Sequence, residues 1–197
     1  IYKAADLIIK GVARPCDVGI CHGDGQEEGK YFLNGTGFGF EPMVNFRAMG
    51  YKHLNGFPSY IVAFLYCLKN PPKGYNVRLI TDGRENQIKT QQISVANGIR
   101  MGGGFKMTPL AKLDDGKFDV MYPNSVYTGL SLIRLAMNFF RGGQVRDKVN
   151  FTYFNAEKVE IEVQSKDIPV HSDGEVFTYG GGCFSLELLP SALSLIY

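Results

Sequence analysis

The placement of glycine limits this chain more than any other feature. Its 24 glycines fall between short stretches of alternating apolar and polar residues rather than in one linker. That punctuation belongs to a strand-rich domain, because glycine weakens the interior of a helix or strand and is favoured where the chain turns. Lys158-Val159-Glu160-Ile161-Glu162-Val163 is the clearest strand: Val159, Ile161 and Val163 share one side, and Lys158, Glu160 and Glu162 the other. Residues 184–188 alternate likewise, and 76–81 followed by 87–96 reads as a hairpin bent around Asp82-Gly83-Arg84-Glu85-Asn86. Further strands are expected at 17–21, 30–34, 118–122, 149–153 and 175–179. The set predicts a mainly β domain, an antiparallel β-sandwich with two or three peripheral helices.

The helices come from a change of period. Residues 58–68 put Ile61, Phe64, Leu65 and Leu68 on one face, and 128–141 do the same with Leu132, Leu135, Ala136, Phe139 and Phe140. Pro58 suits a first helical turn, and Pro71-Pro72 and Gly142-Gly143 suit helix ends. A third helix closes at Lys10-Gly11, since residues 2–9 carry the tail of an apolar periodic pattern.

Composition excludes whole classes of function. The net charge is +2 with 20% charged residues and no dominant Lys/Arg run, so the electrostatic footprint of a nucleic-acid binder is missing. The apolar stretches 61–68 and 130–140, the latter interrupted by Ser131, Arg134 and Asn138, are too short or too polar to span a bilayer, which predicts a soluble domain. Cys16, Cys21, Cys67 and Cys183 are irregularly spaced, so a reducing compartment, the cytoplasm, is expected rather than a disulfide framework.

Several motifs carry bland readings. Gly23-Asp24-Gly25 leads into polar, unperiodic residues and reads as a hairpin tip, not a phosphate cradle. Cys16, Cys21 and His22 lack a second ligand pair at a zinc spacing, and His53 and His171 have no partner motif. Gly102-Gly103-Gly104 and Gly180-Gly181-Gly182 lack the Lys-Ser/Thr of a Walker loop and read as bulges or crossings. Asp173-Gly174-Glu175 has two readings: an extended run that brings His171, Asp173 and Glu175 to one face, or a type I′ hairpin with Asp-Gly at its tip and Glu175 exposed. Lys112-Leu113-Asp114-Asp115-Gly116-Lys117 is first a tight turn and second an oxygen-rich site for a hard cation.

The order of these pieces says more than any one of them. Tyr31-Phe32-Leu33-Asn34-Gly35-Thr36-Gly37-Phe38-Gly39-Phe40-Glu41, then Ser94-Val95-Ala96-Asn97-Gly98 with the glycines at 102–104, then Pro109-Leu110-Ala111-Lys112-Leu113-Asp114-Asp115-Gly116-Lys117-Phe118-Asp119-Val120, then Asp173-Gly174-Glu175 resembles the C-terminal half of the diacylglycerol kinase-like lipid kinases. Sphingosine and ceramide kinases are related to that bacterial family. The resemblance runs from Asp17 to Leu193.

It implies a two-domain enzyme of the NAD kinase/diacylglycerol kinase-like fold, in which an N-terminal α/β domain with a Gly-Gly-Asp-Gly-Thr nucleotide motif meets a C-terminal β-sandwich. That motif is absent from this sequence. Residues 1–11 are then expected to be the remnant of the linking helix and 12–197 the sandwich. The resemblance further implies Glu175 as general base with Asp173 orienting it or facing the nucleotide's magnesium. It implies a structural Mg2+ held by Asp115 and the backbone carbonyls of Lys112 and Lys117, and Asn97, Gly35, Gly37, Gly39 and Gly102 to Gly104 along the cleft where ATP and lipid meet. The chain departs from the family's usual pattern at Glu41, where Asp is common, and at Ser172, where an apolar residue is usual.

Two functions follow. One is the acceptor-side domain of an ATP-dependent lipid kinase, which transfers the γ-phosphate to a diacylglycerol-like hydroxyl and is inactive alone. Such a protein is cytoplasmic and peripheral at the membrane, touches a membrane surface transiently, and is compatible with a homodimer. The alternative is a non-catalytic β-sandwich module that binds lipid or a partner through the apolar helix at 128–141. An NAD kinase ranks below both.

Overall fold

Alternation decides which side of each strand is buried, and in this chain it sorts the strands into two sheets. The computed structural model describes residues 2–51, 53, 54, 56–102 and 104–196. The chain runs α1 (Tyr2–Lys10), β1 (Ala13–Gly23), β2 (Gln26–Phe32), β3 (Gly35–Gly39), α2 (Phe40–Met49), α3 (Phe57–Cys67), β4 (Tyr75–Thr81), β5 (Arg84–Thr90) and β6 (Gln92–Ala96). It continues through β7 (Phe118–Pro123), α4 (Gly129–Arg141), a 3-10 turn (Gly143–Val145), β8 (Phe151–Ala156), β9 (Lys158–Val163), β10 (Ile168–Ser172), β11 (Glu175–Gly181) and β12 (Cys183–Ile196). One six-stranded sheet has the order β2-β1-β12-β9-β4-β5 and the other β11-β10-β3-β6-β7-β8. Neighbouring strands pair antiparallel throughout.

The two sheets enclose one core, in which Phe32, Phe38, Leu79, Ile93, Ile161 and Leu186 are fully buried. The second sheet is buried on both faces: Ile93, Val95 and Val120 point to the first sheet, while Ala96 and Met121 join a second core with α2, α3 and α4, beside the buried polar side chains of Gln92, Ser94, Asp119 and His171.

The sandwich expected from sequence is present, with four α-helices, one more than expected. The added one, α2, follows β3 directly with Gly39 at φ +89 as its cap, and Phe40, Pro42, Val44, Asn45 and Ala48 are buried in it. Its inward residues are spread around the helix, so no amphipathic period announces it. The segment 87–96 is two strands: β5 edges one sheet, β6 lies inside the other, and the chain changes sheet at Gln91. There the buried Thr90 hydroxyl donates to Pro123 O at 2.8 Å and to Gln92 O at 3.0 Å.

The preceding turn is also tighter than expected. Only Asp82 (φ +50) and Gly83 (φ +78) form it, as a type I′ turn requires, and Arg84, Glu85 and Asn86 belong to β5. Strands β3 and β10 were not expected as such, and the strand expected at 149–153 starts at Phe151. The strand expected at 184–188 continues to Ile196 as β12, and at the other positions the expected strands and the helices at 58–68 and 128–141 agree with the structure within a few residues. For α4, Ser131 Oγ accepts the Thr128 N–H at 3.2 Å and Gly142 closes the helix at φ +73.

Ile161 sits at 0% exposure at the centre of this core. Ile161→Ala should cost about 2–5 kcal/mol in urea unfolding through the cavity it leaves; a change near zero would mean the sheets do not close on that face.

Candidate functional site

The site grows from the junction of β3, α2 and β10. Because β3 turns into α2 without a linker, Glu41 falls in the first helical turn beside the last residues of β10, where His171 sits. The two side chains bond, His171 Nε2 to Glu41 Oε2, with 2% and 12% of their surfaces exposed. The tautomer follows from the other ring nitrogen. The Gly174 N–H donates to His171 Nδ1 at 3.1 Å, so Nδ1 is an acceptor and Nε2 carries the proton given to Glu41.

Gly37 on β3 makes room for the pair: a Cβ there would overlap Glu41 Oε2 and stand 2.8 Å from His171 Nε2. A second arm closes on the same glycine of the hairpin. Tyr60 Oη donates to Asn45 Oδ1 at 2.8 Å, and Asn45 Nδ2 donates to Gly174 O at 2.7 Å. Burial first, and then the Glu41 carboxylate, push the Tyr60 phenol up, so it is a standing hydrogen-bond donor.

Glu41 and Tyr60 form the polar end of a cavity of about 310 Å3 between α2, α3 and α4. The rest is lined by apolar side chains, among them Val44, Phe64, Met107, Leu132 and Phe139, with Gln91 and Gln92 beside the polar end. Two buried polar atoms there lack a partner within the chain: Glu41 Oε1 and Gln91 Nε2. The Gln91 amide is oriented by chemistry, since its oxygen accepts the Tyr127 N–H and the nitrogen must take the other position. The cavity therefore joins an apolar body to a polar end where one acceptor and one donor are left without a partner and closed off from solvent, at the small end of the roughly 300–1,000 Å3 usual for ligand pockets.

The Asp-Gly-Glu segment is the type I′ hairpin between β10 and β11, with Asp173 at φ +49 and Gly174 at φ +84. His171 points inward, while Glu175 stands outside with 77% of its side chain exposed and pairs with Lys30 Nζ at 2.7 Å. That lysine holds the Glu175 carboxyl below the usual carboxylate range. Asp173 accepts three backbone N–H groups, from Leu33 at 2.7 Å, Asn34 at 3.0 Å and Gly35 at 2.9 Å. Its carboxylate is a clamp on the β2–β3 crossover, and it also borders a shallower concavity with Val18, Tyr31, Leu33 and Leu193.

Gly35 and Gly39 lie in buried β3 and give way to the chain's own atoms, Ala96 Cβ in the first case and Gln91 O in the second. Their missing side chains leave no open cradle, so β3 by itself does not fit nucleotide phosphates. Asn97 is fully buried, donating to Asp17 O at 2.8 Å and to Leu33 O at 3.3 Å. Gly102 (φ +55) and Gly104 (φ +121) sit in the turn closed by the Met101–Phe105 bridge, and Gly103 is outside the described residues.

The loop at 112–117 is tied to β1 through Asp17, a residue the motif reading left without a role. Asp17 N–H donates to Leu113 O at 2.7 Å, Asp17 Oδ2 accepts Gly116 N–H at 2.7 Å, and Oδ1 accepts Ser191 N–H at 2.8 Å. Asp115 Oδ1 accepts the Lys117 N–H at 3.2 Å. Nearby Asp119 is buried, with Oδ1 bonded to Tyr153 Oη and Oδ2 without a partner; burial, then Asp115, raise its pKa. Among the described residues no group of three His, Cys, Asp or Glu could hold a metal. One carboxylate at Asp115 with the carbonyls of Lys112 and Lys117 is an all-oxygen donor set, which fits Mg2+ that keeps several waters.

Sequence reasoning thus found the hairpin and the loop and missed the functions of Glu41, His171, Asn45 and Tyr60. A signal existed: a glutamate directly after Gly-Phe-Gly-Phe, inside an otherwise apolar run, needs a buried partner.

Comparison with known proteins adds an independent finding. Residues 35–197 match the family described as the YegS C-terminal NAD kinase beta sandwich-like domain. The chain is 30% identical over 184 residues to a diacylglycerol kinase of Bacillus subtilis, covering 92% of this chain and 56% of that protein. It is 26% identical over 196 residues to a protein of Chromohalobacter salexigens named as a YegS-like lipid kinase, covering 98% of this chain and 59% of that one. A crystal structure of a diacylglycerol kinase from Bacillus anthracis superposes with a TM-score of 0.70 at 25% identity, over 100% of this chain and 61% of that one. An NAD kinase from Archaeoglobus fulgidus shares the fold alone, with a TM-score of 0.52 at 14% identity. The chain therefore spans between half and two thirds of the length of the curated relatives it matches.

Gly37→Ala should drive Glu41 and His171 apart, lowering stability by about 1–3 kcal/mol. Thermal unfolding measures the cost, and nitrogen NMR of the His171 ring should lose the signature of an Nε2–H donor; an unchanged ring spectrum would contradict the pair.

Proposed function

The chain belongs to the family of the YegS C-terminal NAD kinase beta sandwich-like domain, and on that premise we propose that it is the acceptor-side domain of an ATP-dependent lipid kinase acting on a diacylglycerol-like alcohol. The observation that carries this reading is the cavity: an apolar body that suits an acyl chain, ending in one unpaired acceptor, Glu41 Oε1, and one unpaired donor, Gln91 Nε2. An ester carbonyl of the lipid can accept from the second, which removes the penalty of leaving that donor buried and alone.

The hairpin would carry the chemistry. Gly174 is held at its N–H by His171 and at its C=O by Asn45, which bond in turn to Glu41 and Tyr60 of the polar end, and Glu175 is the next residue. Phosphoryl transfer to an alcohol depends chiefly on positioning and charge neutralisation, with a carboxylate accepting the hydroxyl proton as the bond to phosphorus forms. Lys30 keeps Glu175 ionised and aligned for that role. Mg2+, held by Asp115 and the carbonyls of Lys112 and Lys117, would brace that loop in a structural role when bound. The ATP phosphates are assigned to a part of the protein beyond this chain, so the chain alone should transfer none.

The test is phosphate transfer from ATP to diacylglycerol by the longer protein that contains this chain. Glu175→Gln should lower kcat by about 10²–10⁴-fold; an unchanged kcat would remove the base assignment. The pH profile adds a signed prediction. Because the lysine favours the ionised carboxylate, the acidic limb of kcat/KM should lie below the ordinary Glu value near 4.3 and move up towards it in Lys30→Met. A limb that stays in place would mean that Glu175 does not govern it. Transfer in the wild-type protein that is absent with every lipid alcohol, together with retained lipid binding, would favour the non-catalytic module.

A further inference from the structure

The two helices beside the cavity carry an apolar face that the fold does not cover. On α4 the core takes Leu132, Leu135 and Phe139. Leu130, Ile133, Met137 and Phe140 fall within an arc of about 80° on the outward side, and all are exposed, Leu130 to 74%. On α3 the outward residues are Phe57, Val62, Leu65 and Tyr66, again all exposed. A surface helix with apolar residues on both its inner and outer sides is expected to be covered by something. Leu65, Ile133, Met137 and Phe140 line the cavity as well as this surface, so the cavity opens between α3 and α4 on the same face.

Charge selects the occupant. Neither α3 nor α4 contains an acidic residue. Arg134 and Arg141 border one edge of the apolar arc of α4, and Arg47 lies 3.8 Å over the Tyr66 ring at the edge of α3. A second copy docked by a two-fold axis would set arginines against arginines, and a neutral protein groove would leave them unmatched. Apolar side chains beside arginines, around the mouth of an apolar cavity, match a bilayer with anionic head groups, where the side chains enter the acyl boundary and the guanidinium groups stay at phosphate level.

We infer that the α3–α4 face docks on an anionic bilayer, so that the cavity mouth meets the membrane and an acyl chain enters without crossing water. The inference rests on the lipid-binding reading of the cavity but has its own readout.

The experiment is co-sedimentation of the protein with vesicles of phosphatidylcholine, with and without phosphatidylglycerol. Binding should need the anionic lipid and weaken with salt. Arg134→Gln with Arg141→Gln should lower partitioning roughly 25-fold, and Leu130→Glu, outside the cavity lining, at least about 10-fold. All three residues are exposed, so unfolding curves of the variants should overlay the wild type. Equal binding to neutral vesicles, or variants that bind as the wild type does, would overturn the inference. So would a concentration-dependent dimer that Leu130→Glu dissolves without any vesicle binding. Kinase activity on detergent-dispersed lipid, with no vesicle binding, would sink the docking face and leave the kinase reading intact; vesicle binding without transfer would do the reverse.

Discussion

A single carboxylate holds the chain where it passes from one sheet to the other. Strand β2 belongs to the first sheet and β3 to the second, and the two residues between them, Leu33 and Asn34, give their N–H groups, with that of Gly35, to Asp173. Charge-assisted bonds of this kind are stronger than neutral ones, and here three converge on one side chain at a point where the ladder can satisfy none of them. The same turn donates Asp173 N–H to Gly35 O at 2.9 Å. The crossover and the β10–β11 hairpin therefore move as one body, and everything that borders the hairpin inherits its position.

What inherits it is a buried polar circuit. Gly174, next to the clamp, is bonded on one side to His171 and through it to Glu41, and on the other to Asn45 and through it to Tyr60. In a low-dielectric interior such a network is stable only when its members are paired. Its members are, except at Glu41 Oε1, which sits at the cavity together with the unpaired Gln91 Nε2. The cavity itself follows from the two-sided burial of the second sheet: three helices are needed to cover it, and they meet around a space instead of closing it. Among the described residues no helix is long and apolar enough to cross a membrane, so the apolar surface of α3 and α4 is a matter of contact, not of spanning.

Much of this was legible in the residues. The alternation at 158–163, the Asp-Gly turns and the periods at 58–68 and 128–141 gave a sandwich with helices, because each is a local rule obeyed locally. The motif order pointed to the lipid kinase relatives that the comparisons then found. The failures share a cause. Helix α2 is buried around much of its circumference, and β6 alternates polar with apolar residues although all five are buried, so periodicity does not separate the first from a loop or the second from β5. The pairing of Glu41 with His171 spans 130 residues of sequence, and only the register of β10 against β3 brings it about. Without that register His171 has no partner and Glu41 is merely a departure from the usual Asp.

The most direct test is a titration of the protein with dioctanoylglycerol, followed by side-chain NMR. The account predicts saturable shifts at the methyl groups of Val44, Leu132, Leu135 and Met107 and at the His171 ring, with the methyl groups of Leu79 and Val77 in the inter-sheet core unmoved. Shifts confined to the inter-sheet core, or none at any of these positions, would contradict it.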